Sequence, residues 1–262
     1  MSLLKVSEQQ GIVTVSLNRP DKRNAMSFAL LNELIETAKK IKKNRNVRCV
    51  ILTGEAHVFS AGIDLSDLNS PKNSIYAAWE LLKPGQSLFQ KACLIWQSLP
   101  VPIIAVLEGY CFGAGMQLAL AADIRISHSD TQFSIMESRW GLVPDMGLTQ
   151  SLKGLIAIDL AKELTFSGRI FSADYAKDIG LITYIDENPM QYAITLTEEF
   201  NQRSPDALVA AKHVLNAMIE QPDKSLRFEK LWQLKLLLGK NSRLARKKDR
   251  ENKTNFLPRQ YK

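Results

Sequence analysis

Apolar and polar residues recur with two different periods along the first half of the chain. Residues 11–18 (GIVTVSLN) alternate and are rich in β-branched side chains, which predicts a strand. From Ser27, a residue that favours the N-cap of a helix, to about residue 43, apolar side chains recur at helical spacing. The apolar runs 47–53 and 102–107 predict two buried strands. Strands alternate with helices, which is typical of α/β proteins.

Beyond residue 154 the helical period dominates. Three helices are predicted there, over 189–202, 207–220 and 226–238. A hairpin-like interruption is predicted at 180–185 (GLITYI). Because no linker rich in Pro, Gly or Ser divides the chain, we predict an α/β core over residues 1–200. A helical region over 201–262 is expected to pack on it.

Composition excludes several classes of protein. Of the 262 residues, 45% are hydrophobic and 23% are charged, which is typical of a folded globular protein and not of a disordered one. The chain contains no run of 18 apolar residues and no signal-peptide pattern at its start, so we expect no membrane span and a cytoplasmic location. The three cysteines and three histidines lack metal-ligand spacing, which predicts reduced, mostly buried thiols and no metal site.

The net charge of +7 is concentrated at one end of the chain. Residues 240–262 contain nine Lys or Arg and two acidic residues, and the remainder is neutral. Such a basic tail can bind nucleic acid, an anionic membrane or the phosphates of a ligand, or it can be a solvated helical end.

Three segments contain candidate chemistry. FSAGIDL (59–65) is a loop of small residues that can expose backbone N–H groups to a ligand, or it is an ordinary loop. EGYCFGAGMQ (108–117) follows a predicted strand and opens a helix; its glycines suit either anion binding or close packing of helix on sheet. Glu137 and Asp145 lie among apolar residues, where burial raises carboxyl pKa values toward those needed for proton transfer. Asp145 can equally be a helix N-cap.

These segments, in this order, resemble the crotonase superfamily, also called the enoyl-CoA hydratase/isomerase family. The resemblance begins at LNRP, continues through Asn24 and Ala25, and covers about residues 3–230. Its further motifs are FSAGIDL, GYCFGAGMQLALAADIRI, FSIMESRWGLVPDMG and AKELTFSGRIFSADYAKDIGLI. It implies a spiral of repeated ββα units with a helical C-terminal part.

The resemblance also implies an acyl-CoA substrate and a role in fatty acid metabolism. The N–H groups of Ile63 and Ala114 would form an oxyanion hole for the thioester carbonyl, with Ala114 where the family usually has glycine. Residues that would bind CoA are Lys22, Arg23, Asn24, Ala25, Ala61, Gly62, Asp64, Leu65 and Phe228. Residues that would line an acyl pocket are Trp79, Leu82, Phe89 and Trp140, all of which can instead pack the core or a subunit contact.

Two reactions stay open. In the hydratase pattern two glutamates hold a water; Glu137 matches the second, but Gln117 occupies the place of the first and cannot take a proton. The spacing from Glu137 to Asp145 resembles the dienoyl-CoA isomerase branch, which carries Asp where this chain has Gln117. We therefore expect either double-bond isomerisation by Glu137 and Asp145, or hydration by Glu137 with Gln117 positioning the water.

The resemblance implies a homotrimer or a dimer of trimers, in which C-terminal helices pack between subunits. No separate cofactor is expected, since coenzyme A is part of the substrate. Two alternatives of another class are an RNA-binding protein that uses the basic tail and a protein that binds acyl-CoA without turnover. Nucleic acid is not the expected partner, because the tail has few aromatic residues between its basic ones.

Overall fold

Two β-sheets form the centre of the part of the chain that the computed structural model describes, residues 2–68, 70–247 and 255–261. The strands are β1 (Leu4–Gln9), β2 (Ile12–Leu17), β3 (Cys49–Gly54), β4 (Ile103–Leu107), β5 (Tyr110–Phe112), β6 (Ile124–Ser127), β7 (Gln132–Ser134), β8 (Phe171–Ser172) and β9 (Tyr184–Ile185). The larger sheet has the order β1-β2-β3-β4-β6-β9 and is parallel except for β1. The smaller sheet has the order β5-β7-β8.

Helices surround these sheets. They are α1 (Phe28–Lys43), α2 (Leu65–Leu68), α3 (Pro71–Leu82), α4 (Leu88–Gln97), α5 (Ala114–Leu120), α6 (Leu148–Ser151), α7 (Ile158–Ser167), α8 (Ala173–Asp178), α9 (Pro189–Asn201), α10 (Pro205–Glu220), α11 (Ser225–Leu238) and α12 (Lys240–Lys247). Ser27 caps α1 as predicted, since its side chain accepts a hydrogen bond from the N–H of Leu30. None of the described helices is long and apolar enough to cross a membrane.

The larger sheet is buried on both faces, which explains why its central strands are continuous apolar runs. In β3, Val50 and Leu52 face a core that includes α1 and α4, whereas Cys49 and Ile51 face a second core under α9. Each fully buried aliphatic side chain of this kind stabilises the fold by about 1.5–3 kcal/mol. All three cysteines are buried free thiols, as predicted.

From β4 to β7, successive strands alternate between the two sheets. β4 of the larger sheet is followed by β5 of the smaller sheet and then by α5, and β6 is likewise followed by β7. Each of these two turns of the chain therefore adds one strand to each sheet. This arrangement confirms the predicted α/β spiral of ββα units.

Two local predictions were wrong. Segment 180–185 is not a hairpin, because its strand β9 pairs in parallel with β6, with Tyr184 opposite Ile126. β1 was not predicted at all, since most of its side chains are exposed at the sheet edge. It pairs with β2 through a turn at Gln10 and Gly11, whose φ angles are 51° and 78°.

The C-terminal region has an apolar cluster of its own. Val209 and Ala210 of α10 pack against Trp232 of α11, and Phe228 lies at the edge of the same cluster. The chain then returns to the core through residues 255–261.

That returning segment binds the end of α1. Arg259 is 1% exposed and donates to the carbonyl oxygens of Lys42 at 2.7 Å and Asn44 at 3.0 Å. The buried carboxylate of Asp206 accepts from the backbone N–H of Gln260. Arg259 is therefore not available to bind nucleic-acid phosphates as the basic-tail hypothesis requires. Basic residues 248, 250, 253 and 262 of the predicted tail lie outside the described residues.

Candidate active site

An apolar cavity of about 420 Å³ lies between the FSAGIDL loop, α3, α4, the start of α5 and the loop after β7. The residues that line it are Ala61, Gly62, Ile63, Leu65, Leu68, Ala77, Leu81, Phe89, Gly113, Ala114, Gln117, Met136, Glu137, Trp140, Leu142, Val143, Asp145 and Met146. Glu137 and Asp145 are its charged residues. Its volume falls within the range of small-molecule sites.

Two loops that are distant in sequence meet at one wall of this cavity. The N–H of Ser60 donates to the carbonyl of Tyr110, and the N–H of Phe112 donates back to the carbonyl of Ser60. These bonds fix the FSAGIDL loop against β5. A Cβ atom at Gly62 would lie 3.2 Å from the carbonyl oxygen of Phe112 and 3.8 Å from the nitrogen of Ala114. The first and second sequence motifs are therefore in contact.

The predicted oxyanion-hole residues both line the cavity. Gly62 precedes Ile63 with φ at 103°, and Gly113 precedes Ala114 with φ at 48°, conformations that L-residues with side chains rarely adopt. Within the described part of the chain, neither the N–H of Ile63 nor that of Ala114 donates to a protein acceptor. Paired free N–H groups at a cavity wall suit the stabilisation of a developing oxyanion.

The predicted catalytic residues Gln117, Glu137 and Asp145 are brought together around the cavity. Glu137 begins a short 3₁₀ turn after β7, and its Oε1 accepts a hydrogen bond of 2.7 Å from Nε2 of Gln117 on α5. Oε1 of Gln117 accepts a hydrogen bond of 2.8 Å from the N–H of Met146, the residue after Asp145. Asp145 is not a helix N-cap, since α6 begins at Leu148 and its N-cap is Gly147.

Both carboxyl groups have perturbed acidity. Burial raises the pKa of Glu137, and the charge of Asp145 adds to this effect, while hydrogen bonds from its own backbone and from Gln117 oppose it. Burial also raises the pKa of Asp145. Oε2 of Glu137 is buried and has no hydrogen-bond partner among the described residues. A pair of carboxyl groups with raised pKa values can exchange protons with a substrate near neutral pH.

The predicted CoA-binding residues divide into three groups. Ala61, Gly62 and Leu65 line the cavity, and Lys22 and Arg23 are exposed on the preceding loop, next to half-buried Ala25. The structure does not support a direct role for Asn24, which is fully buried. Its side chain binds backbone groups of Arg19, Glu55 and Val58 and so holds the loop together.

The side chain of Asp64 also holds the loop together. Its carboxylate forms an ion pair of 2.8 Å with Arg19 and accepts hydrogen bonds from Ser66 and from the N–H of Asp67. Burial raises its pKa, but these donors outweigh burial and hold the pKa at about 2. Phe228 lies in the C-terminal cluster and does not line the apolar cavity of its own chain.

Two of the four residues predicted for the acyl pocket line the cavity. Phe89 and Trp140 line the cavity, but Trp79 and Leu82 lie on the outer face of α3, where Leu82 is 86% exposed. Ala77 and Leu81 take their place. Ala77 and Leu81 are four residues apart and therefore share one face of α3, so their spacing in the sequence indicated that they could line the same pocket. Leu68, Leu142, Val143 and Met146 also line the cavity and were not predicted.

Comparisons with known proteins identify the family of this chain. A family model for enoyl-CoA hydratase/isomerase matches residues 7–238. The mitochondrial Delta(3,5)-Delta(2,4)-dienoyl-CoA isomerase of Mus musculus is 35% identical over 247 residues, which are 90% of this chain and 75% of that protein.

Solved structures share the whole fold. An enoyl-CoA hydratase from Bacillus anthracis superposes with a TM-score of 0.89 at 29% identity, covering 98% of this chain and 99% of that one. A Thermobifida fusca structure in complex with acetoacetyl-CoA has a TM-score of 0.81 at 28% identity, covering 90% and 95% of the two chains. Together with the family model, these matches show that the chain belongs to the enoyl-CoA hydratase/isomerase family of enzymes.

Proposed function

We propose that this enzyme isomerises the double bonds of a dienoyl-CoA thioester. The observation that carries the proposal is the pair of half-buried carboxyl groups, Glu137 and Asp145, facing one apolar cavity beside the N–H groups of Ile63 and Ala114. Moving a conjugated pair of double bonds requires one proton to leave and another to return at a distant carbon. Two separate acid–base groups suit that task.

The reaction that follows from this arrangement conserves all atoms. One carboxylate removes a proton from C2 of a 3,5-dienoyl thioester, and the C–H electrons pass into the conjugated system, whose negative charge reaches the thioester oxygen. The N–H groups of Ile63 and Ala114 stabilise that oxygen. A carboxylic acid then donates a proton to C6, which leaves a 2,4-dienoyl thioester.

The position of Glu137 indicates which carbon it serves. A Cβ atom at Gly113 would lie 3.4 Å from Oε1 of Glu137, so this carboxylate lies against the turn that presents the N–H of Ala114. It is therefore next to the thioester carbonyl and acts at C2. Asp145, the second carboxylic acid of the cavity, acts at C6.

Gln117 disfavours the hydratase alternative. Its amide oxygen already accepts a hydrogen bond from the N–H of Met146, and its amide nitrogen donates a hydrogen bond to Glu137. The two side chains that would hold a water between them are thus bonded to each other. Glutamine also cannot take a proton from water.

The coenzyme would extend from the cavity across a second, polar groove of about 660 Å³. This groove includes Lys22 and Ser66, and the latter follows the cavity residue Leu65. Lys22 and Arg23 are exposed cations that can bind the phosphates of CoA. We propose that the phosphates lie there, whereas Asn24 and Asp64 keep the loop in shape. Exposed leucines on α10 and α11, among them Leu215 and Leu234, support the trimer or dimer of trimers that the resemblance implies.

The test uses 3,5-dienoyl-CoA and 2-enoyl-CoA esters of several chain lengths in heavy water. Ultraviolet absorbance follows conjugation, and mass spectrometry identifies the product. We expect the 3,5-dienoyl ester to give a 2,4-dienoyl isomer that has taken up deuterium at C6. A product that has gained one water would assign a hydratase, and the absence of turnover with every ester would favour a protein that only binds acyl-CoA.

A further inference from the structure

The Gln117 side chain is 1% exposed, and each end of its amide is bound to a different segment of the site. Nε2 donates to Oε1 of Glu137, and Oε1 accepts from the N–H of Met146. A backbone N–H can only donate, and an ionised carboxylate can only accept. These two partners therefore allow a single orientation of the amide.

We propose that Gln117 is a positioning residue, whose amide cross-links Glu137 to the loop that carries Asp145. The inference rests on the isomerase function proposed above. It assigns Gln117 neither a proton nor a water. Its consequence is that both carboxyl groups move as one unit, since Met146 directly follows Asp145.

The buried Oε2 atom supports this role. It has no partner among the described residues, whereas Oε1 of the same carboxylate is occupied by Gln117. Among the described residues, the bond from Gln117 is therefore the side-chain hydrogen bond that fixes this carboxylate. Because the donor is a neutral amide, Glu137 gains a hydrogen bond to its charged form without a third anionic group in the cavity.

Among the described residues, the titratable groups that act on Glu137 are Asp145, on the loop before α6, and Cys93, on α4. Burial keeps the Cys93 thiol neutral by raising its pKa, so Asp145 is the group whose charge opposes ionisation of Glu137. The hydrogen bond from Gln117 lowers the pKa of Glu137, whereas burial and the charge of Asp145 raise it. Removing this donor should therefore raise the pKa of Glu137. Glu137 would then ionise at a higher pH.

The experiment is a carboxyl titration by NMR of protein labelled with ¹³C at the glutamate side-chain carboxyl. The Glu137 signal is assigned from its loss in Glu137→Gln. In Gln117→Met, which keeps the length of the side chain but has no donor, we expect the Glu137 midpoint to rise by about one pH unit, a tenfold weaker ionisation. The midpoint of the acid limb in the pH profile of kcat should move to higher pH by the same amount. KM for isomerisation should change less than about threefold.

A matched control is Gln97→Met on α4, a half-buried glutamine that does not line the apolar cavity. It should leave the Glu137 midpoint unchanged. If Gln117→Met folds and its Glu137 midpoint equals that of the wild type, Gln117 only fills space and the proposal is overturned. The titration needs no substrate, so a wild type that fails to isomerise would refute the function and still test Gln117.

A second variant covers the case in which Gln117→Met does not fold. Gln117→Glu has the same shape but can donate to Glu137 only while protonated. We expect the ratio of the kcat of Gln117→Glu to that of the wild type to fall at least tenfold between low and high pH, as the carboxyl group introduced at position 117 ionises. A constant ratio across the pH range would contradict the cross-link.

Discussion

Replacing Glu137 by glutamine tests the proposed proton transfer most directly. The amide has the shape of the carboxyl group and retains a hydrogen-bonding partner in Gln117, but it cannot accept a proton. A positioned general base typically contributes a factor of about 10²–10⁴ to the rate, or about 3–5 kcal/mol of barrier. We therefore expect kcat of Glu137→Gln to fall about 10³-fold.

The assay follows turnover of a 3,5-dienoyl-CoA ester and, separately, calorimetric binding of a saturated acyl-CoA. Binding should change less than about threefold, since no contact to the CoA moiety is removed. Glu163→Gln is the matched control, because that carboxylate lies on the surface in an ion pair with Arg169. A Glu137→Gln enzyme that keeps more than about a tenth of the wild-type kcat would refute the assignment.

The same pair of residues predicts a bell-shaped pH profile of kcat. Glu137 must be ionised to take a proton, so activity should be lost as pH falls through its pKa, which burial raises above 4.5. Asp145 must be protonated to donate, so activity should be lost as pH rises through its own raised pKa. The two limbs belong to the coupled pair, and Asp145→Asn should remove the basic one.

Three further predictions concern the cavity and its supports. Ala77→Phe fills part of the cavity and should raise KM for long-chain substrates about tenfold, or about 1.4 kcal/mol. Ala78→Phe, on the exposed side of α3, should leave KM unchanged, and steady-state kinetics measures both variants. Asp64→Asn should lower the free energy of unfolding at pH 7 by about 1–2 kcal/mol in urea titrations. Since the pKa of Asp64 is lowered from 3.8 to about 2, this difference should vanish as pH falls through that window, and a pH-independent difference would contradict the ion pair. Arg259→Ala should lower the free energy of unfolding by about 2 kcal/mol, because the carbonyls at the end of α1 lose a charged donor, while exposed Arg243→Ala should leave it unchanged.

Local patterns in the sequence were sufficient for most of the fold. The apolar period of α1 and its Ser27 cap, and the continuous apolar runs of β3 and β4, depend on contacts between near neighbours and on burial of whole elements. The edge strand β1 was missed because an exposed strand carries little periodicity. β9 was taken for half of a hairpin because the sequence does not reveal which strand it pairs with.

The site residues show the same division. The order of the motifs predicted that Ile63, Ala114, Gln117, Glu137 and Asp145 would line one site, and the structure places all five around one cavity. Nothing in the local sequence distinguishes Asn24 and Asp64, which hold a loop together, from residues that face a ligand. On α3 the sequence indicated an apolar wall but not which face of the helix formed it.

The sequence by itself determined most of the elements, the family and the chemical types available at the site. Only the tertiary structure decided how those groups are used. Gln117, Glu137 and Met146 are separated by 20 and 9 residues along the chain, and the bonds between them exist only after α5, β7 and the following loop have packed together. Their roles depend on burial and on which donor meets which acceptor, and both are properties of the folded chain.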